Sequence, residues 1–207
     1  MVRRLAIETA TTACSVALFE DEALIAHTHE IVGRGHAERL VPMIAALPDR
    51  GRADEILVDC GPGSFTGVRV GLAAARALGL AWRAPVHGYS SMALIAAATF
   101  AGEAPPETIA VVLIGGHGEL FVQRFAAGEA AALSPLLSLT PEAAAAFCPD
   151  DRLVGSGAET LAAARGSGQS HAMVPDARAT VLIPPAGRAL APTPIYGRAP
   201  DARLPGQ

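Results

Sequence analysis

The residues best placed to do chemistry lie in one stretch, Cys60-Gly61-Pro62-Gly63-Ser64-Phe65-Thr66-Gly67-Val68-Arg69-Val70-Gly71-Leu72, between an apolar run at Ile56 to Val58 and a run of small residues. Glycines let backbone N–H groups close on a ligand, and the start of a helix favours an anion through its partial positive charge. The chemistry this pattern suits is phosphate contact, with Thr9, Gly61, Gly63, Ser64 and Thr66 as candidate groups. Stronger motifs fail on spacing. A phosphate loop needs Gly-Lys-Ser/Thr where Thr66, Gly67 and Val68 stand, and the sequence has no lysine. The dinucleotide fingerprint needs glycine at Thr66. A nucleophile elbow on Ser64 needs glycines at Pro62 and Thr66. A tight strand-to-helix turn capped by Ser64 or Thr66 accounts for the same residues without any ligand.

The elements that must position this turn follow from periodicity. Leu5 to Glu8, Ser15 to Phe19 and Leu24 to Thr28 predict a three-stranded antiparallel meander. Leu40, Met43, Ile44 and Leu47 recur at helical spacing and stop near Pro48, with Pro42 tolerable only in or near the first turn. Ile56 to Val58 predicts a strand, Val68 to Trp82 a helix, Val86-His87 a short strand and Met92 to Phe100 an apolar helix, so the first part reads βββαβα. From Thr108 the pattern restarts, with strands at Ile109 to Ile114 and Leu120 to Phe125 joined through Gly115-Gly116-His117-Gly118. Helices are expected at Pro141 to Phe147 and Glu159 to Ala164, with a strand at Leu153-Val154 between them and loops from Gly166 to Pro185. No repeat of fixed period appears in the sequence.

The helix from Val68 to Trp82 is apolar almost all round, and Gly71, Ala75 and Gly79 follow one another every fourth residue. Two of its faces must be buried. One covers the sheet; the other belongs either to a partner chain or to the preceding helix of the same lobe. The partner reading assigns the interface to Leu40, Met43, Leu47, Val68, Gly71, Leu72, Ala75 and Gly79.

Composition bounds the function. With 207 residues, 51% of them hydrophobic and 17% charged, the chain buries a proper core. Net charge is −4 and aromatics are 4%, which disfavours tight nucleic-acid binding by this chain alone. The three cysteines, Cys14, Cys60 and Cys148, are far apart and lack zinc-site spacing, which fits a reducing cytoplasm. Leu5-Ala6-Ile7 is too short for the apolar region of a signal peptide, and no run approaches a membrane span. His27, His29, His36, His87, His117 and His171 form no recognised pattern, and Glu8 and Asp59 read as isolated carboxylates at strand ends. No catalytic or metal-ligating residue is assigned.

Three segments resemble, in order and spacing, the TsaB (YeaZ) family of bacterial tRNA threonylcarbamoyladenosine synthesis. They are Leu5-Ala6-Ile7-Glu8-Thr9-Ala10-Thr11 with Cys14-Ser15-Val16-Ala17-Leu18; Gly35-His36-Ala37-Glu38-Arg39-Leu40 with Pro42-Met43-Ile44; and Gly61 through Leu72. The resemblance runs from Leu5 to Ser91 and returns at Pro194-Ile195-Tyr196-Gly197-Arg198. It implies an α/β, actin-like and ribonuclease-H-like fold of two lobes, with mixed sheets flanked by helices. Residues 1–103 would form the first lobe with its partner-binding helices, 104–190 a reduced second lobe, and 191–207 a tail returning to the first. It further implies a non-catalytic scaffold that homodimerises in isolation and binds and activates TsaD, the threonylcarbamoyl transferase, together with the ATPase TsaE. On that reading no cofactor is held stably, ATP is used by the complex through its partners, tRNA is met only through the complex, and the location is cytoplasmic.

Two departures bear on the competing readings. The catalyst's family carries a His-x-x-x-His metal pair, but four residues after His36 stands Leu40. Where relatives of TsaB type have an Asp-Ala-Arg turn, this chain has Ile114-Gly115-Gly116-His117-Gly118-Glu119-Leu120, closer to the catalyst's Gly-Gly-His loop, or else a β-hairpin turn with His117 exposed. The alternatives are an ATP-hydrolysing or acyl-transferring member of the same superfamily, using Thr9, Gly61, Gly63 and Ser64 around a phosphate, and a protein binding a small anion at the Gly67 helix start. A peptidase would need a nucleophile beside a base or a metal, and none is assembled in sequence.

Overall fold

A computed structural model describes residues 1–197; the remainder, including Arg198 and the end of the expected tail, lies outside the described residues. Strands β1 (Arg3–Glu8), β2 (Ala13–Glu20) and β3 (Ala23–Ile31) form an antiparallel meander. Helix α1 (His36–Ala45) leads to β4 (Glu55–Asp59), α2 (Phe65–Trp82) to β5 (Val86–Tyr89), and α3 (Ser91–Phe100) leaves the lobe. β4 lies parallel to β1 and β5 parallel to β4, so the sheet order is β3-β2-β1-β4-β5.

The second lobe repeats the plan. Strands β6 (Thr108–Ile114) and β7 (Leu120–Ala126) are antiparallel, and two short strands, β8 (Ala131–Ala132) and β9 (Leu137–Leu139), pair with the far side of β7. Helix α4 (Pro141–Phe147), β10 (Arg152–Val154), α5 (Ala158–Arg165) and β11 (Gln169–His171) follow, with β10 parallel to β6 and β11 parallel to β10. A meander followed by parallel strands, each reached through a helix, thus occurs twice, which is the duplicated actin-like plan. The duplication is one of topology and leaves no trace as a repeat of residues. β11 falls where the sequence predicts loop, and β8 and β9 in a stretch for which it predicts no element, because strands of two or three residues carry no readable alternation.

Alternation along each strand assigns its residues to two layers. Leu5, Ile7, Val16 and Leu18 face α1 and α2, whereas Ala6, Ala17, Phe19 and Leu57 face Tyr89, Leu94 and Ala177. α3 is apolar all round because it lies between the sheets: Leu94 and Ala97 pack on the first, Met92, Ile95 and Ala96 on the second. α4 and α5 cover the outer face of the second sheet. Helix boundaries differ from the sequence reading at two points. α2 begins at Phe65, one turn early, because Ser64 Oγ accepts from the Gly67 N–H at 3.2 Å and caps it. α1 begins at His36, which places Pro42 in its second turn rather than its first.

The stripe assigned above to a partner interface is corrected by burial. Leu40, Met43, Leu47, Val68, Gly71, Leu72, Ala75 and Gly79 are all buried within the chain, most of them in one cluster with Ile7, Val16 and Val58. α1 itself covers the second face of α2. What the two helices leave outside includes Val41, 62% exposed, Leu80, 84% exposed, and the small residues Pro42, Ala45, Ala73, Ala77 and Ala81, with the charged Glu38 on α1 and Arg76 on α2 among them.

Candidate functional site

The glycine turn after β4 is built to be filled by the chain's own backbone. A Cβ at Gly63 would collide with the Ala10 carbonyl, and one at Gly67 with the Thr9 carbonyl, so these two positions exclude every larger residue. The β1–β2 loop therefore seats directly on the start of α2. Thr9 Oγ1 donates to the Gly67 carbonyl at 2.8 Å, and the Ser64 N–H donates to the Ala10 carbonyl at 2.6 Å. The Gly61 N–H is taken by Asp59 Oδ1 at 2.6 Å, and the Gly67 N–H by Ser64 Oγ. Of the candidate phosphate contacts, Thr9 and Gly61 are buried and committed to these bonds, Gly63 is half-buried against Ala10, and Ser64 and Thr66 stay exposed at the helix start.

Beneath the turn, Glu8 and Asp59 are not isolated, which corrects the sequence reading. They end neighbouring parallel strands and are both fully buried. Glu8 Oε1 accepts from the Ala10 N–H at 2.8 Å; Asp59 Oδ1 also accepts from Ser91 Oγ at 2.8 Å. The other two oxygens, Glu8 Oε2 and Asp59 Oδ2, have no further donor, and one proton shared between the carboxyls satisfies both. Burial, reinforced by the neighbouring Asp59 charge, lifts the Glu8 carboxyl well above its ordinary range. Burial also raises Asp59, opposed by the donors that surround it, so the pair together retains a proton.

The open space lies above the turn. A cleft of about 810 Å³ separates the lobes, walled by Thr11, Thr12, Ser64, Phe65 and Arg69 on one side and by Ile114 to His117, Phe121 and Ser156 on the other. The segment Pro194 to Gly197 closes one end, held where the Ile195 N–H donates to the Cys60 carbonyl at 2.7 Å. The Arg69 guanidinium lies 3.4 Å from the Phe65 ring centroid and donates to Tyr196 Oη at 3.1 Å. Among the described residues that line the cleft none is a carboxylate, and the buried Glu8–Asp59 pair does not reach it. His117 stands at the tip of the β6–β7 hairpin, exposed, with φ 62° at His117 and 79° at Gly118. Two successive left-handed residues make the tight turn that matches strand twist, so the loop is both a hairpin turn and a cleft wall.

The remaining nucleophile candidates are inert. Burial pushes the Cys60 thiol up to about 12, and Cys14 and Cys148 up to about 11. His36 is buried, with Nε2 2.9 Å from the Ala13 carbonyl, so it tethers α1 to β2. Sequence reading passed over one cluster: His27 and His29, two apart on β3, meet Asp176 from beyond β11. The strand spacing was legible, but nothing in the sequence announced the distant carboxylate.

The sequence signature of the TsaD family, tRNA N6-adenosine threonylcarbamoyltransferase, matches residues 27–173. A protein of Escherichia coli named tRNA threonylcarbamoyladenosine biosynthesis protein TsaB is 41% identical over 100 residues, which are 46% of this chain and 43% of that protein. The chain belongs to the TsaD family and is of TsaB (YeaZ) type. The TsaB protein of Haemophilus influenzae is 40% identical over 102 residues, 46% of this chain and 42% of its own length. In these matches the chain spans less than half the length of its curated relatives. The solved structure of YeaZ from Pseudomonas aeruginosa superposes with TM-score 0.78 at 27% identity, covering 95% of this chain and 100% of that one. The TsaB-type likeness in structure thus extends through the second lobe, where the sequence likeness fades.

Proposed function

We propose that this chain is the non-catalytic scaffold subunit of tRNA threonylcarbamoyladenosine synthesis, binding and activating TsaD together with TsaE in the cytoplasm. The observation that carries the reading is a TsaB-type fold whose cleft has no carboxylate among its described lining residues, beside two helices whose outer face carries exposed apolar and small residues between Glu38 and Arg76. Val41 and Leu80 are large apolar side chains exposed on α1 and α2, and the alanines between the turns let another backbone approach closely. That outer face is the surface for TsaD, and for a second copy when the chain is alone, over the ~1,200–2,000 Å² of a specific contact. The scaffold holds no cofactor in the cleft; its partners consume the ATP. Among the described residues no helix is long and apolar enough to cross a membrane.

The test is reconstitution of tRNA modification from purified TsaD, TsaE, ATP and threonylcarbamoyl-adenylate, with and without this chain. Modification should rise only when chain and TsaD are both present. Product formed by the chain without TsaD would make it the catalyst instead. A second reading, a small-anion or nucleotide site, is favoured by Arg69 alone in the cleft wall. Calorimetry with ATP decides it: binding lost in Arg69→Ala would support that reading.

A further inference from the structure

β3 is the outer strand of the first sheet, and residues two apart on a strand share a face, so His27 and His29 project together. The chain passes that face again after β11. There Asp176 starts a short 3-10 turn, its Oδ1 accepting from the Arg178 N–H at 3.0 Å, while the Ala177 N–H donates to Ser15 Oγ at 2.8 Å. His27 Nε2 lies 2.8 Å from Asp176 Oδ1, and His29 Nδ1 3.5 Å from Asp176 Oδ2. One ligand atom from each of the three residues falls within 4.8 Å of the others. His29 Nδ1 is buried and makes no hydrogen bond. A buried ring nitrogen that faces a carboxylate at 3.5 Å without a hydrogen bond calls for an explanation, and a cation bound between them is one.

We propose that His27, His29 and Asp176 form a binding site for a divalent transition-metal ion, zinc by preference, which clasps the returning segment to the edge of the first sheet. Two imidazoles and one carboxylate are a donor set that zinc favours, and three protein ligands leave a fourth position for water. A cavity of about 490 Å³ adjoins the cluster, walled on the α3 side by Leu94, Ile95 and Ala98, which offer no competing charge. Among the described residues the cation that competes for the carboxylate is Arg178, whose Nε lies 3.0 Å from Asp176 Oδ2; its side chain is 62% exposed and free to turn into solvent when the metal arrives. This site departs from the expectation of no metal, which rests on the missing partner of His36 and on histidines that form no recognised pattern in sequence. It is independent of the scaffold reading.

Zinc titration of the full chain, followed by calorimetry and by the visible absorption of cobalt as a substitute, tests the site. One equivalent should bind and raise Tm. His29→Ala and Asp176→Asn should each weaken binding at least about tenfold and abolish the Tm gain, while Arg178→Ala should tighten it by freeing the carboxylate. Stoichiometric binding unchanged in Asp176→Asn would mean a surface chelate of two histidines and would overturn the site. So would the absence of any one-to-one binding at zinc concentrations on the order of 100 μM. Circular dichroism of each variant shows that it remains folded.

Discussion

At Glu8 and Asp59 two acids occupy a space that water does not reach, and the cost of ionising both is avoided by keeping one proton. That choice has a pH signature. Because the Glu8 pKa is raised in the folded chain, the folded state binds more protons than the unfolded one once pH passes the ordinary value of 4.5. Stability from this pair is therefore full below that pH and declines as pH rises towards the folded value. Glu8→Gln keeps an acceptor for the Ala10 N–H and supplies a permanent donor for Asp59. It should flatten the decline and gain on the order of 1 kcal/mol at pH 8 relative to pH 5, read by urea unfolding at both. An unchanged slope would place the proton elsewhere. The turn above is less forgiving. Gly67→Ala drives a methyl into the Thr9 carbonyl and breaks the seat of the β1–β2 loop, so it should cost about 2 kcal/mol or more in the same assay.

Among elements, α2 carries the clearest lesson about what a sequence discloses. Its length and its small-residue spacing were legible, and so was the need to bury two faces. Which surface met the second face was not, because Leu40, Met43 and Leu47 on α1 satisfy it just as a foreign helix would. The meander and the glycine turn were readable because strand alternation and turn chemistry are local. The second lobe announced itself as a restart of the pattern at Thr108, whereas the shared proton and the His27–Asp176 meeting depend on segments far apart in the chain, where residue types alone give no distance. The partner prediction moves accordingly to the outer face. Leu80→Glu puts a charge on a side chain already 84% exposed, so stability should change by less than about 0.5 kcal/mol while TsaD capture on a sensor surface is lost. Ala75→Glu, at a fully buried site, should instead unfold the first lobe. Leu80→Glu with unaltered TsaD affinity would remove α2 from the interface.

For the whole molecule, the arrangement of charge bears on whether the chain alone binds tRNA. The net charge is −4, and many of the arginines are already paired: Arg3 with Glu20 and Asp49, Arg4 with Glu22 and Glu55, Arg39 with Glu30, Arg124 with Asp150, Arg188 with Glu22. Binding to a phosphate backbone draws its strength from counterions released by cations, and although Arg34, Arg50, Arg52 and Arg83 are exposed and make no ion pair among the described residues, they belong to a chain whose net charge repels phosphate. The isolated chain should therefore show no saturable tRNA binding in the micromolar range at physiological salt, and its contribution to a complex should come through the α1–α2 surface. Gel-shift titration of the chain alone, and again with TsaD present, measures this. Retention of tRNA should appear only in the second case, with a salt dependence set by TsaD. Micromolar binding by the chain alone, falling steeply with salt, would reveal a basic surface that the ion pairs conceal and would recast the scaffold as a tRNA-binding subunit in its own right.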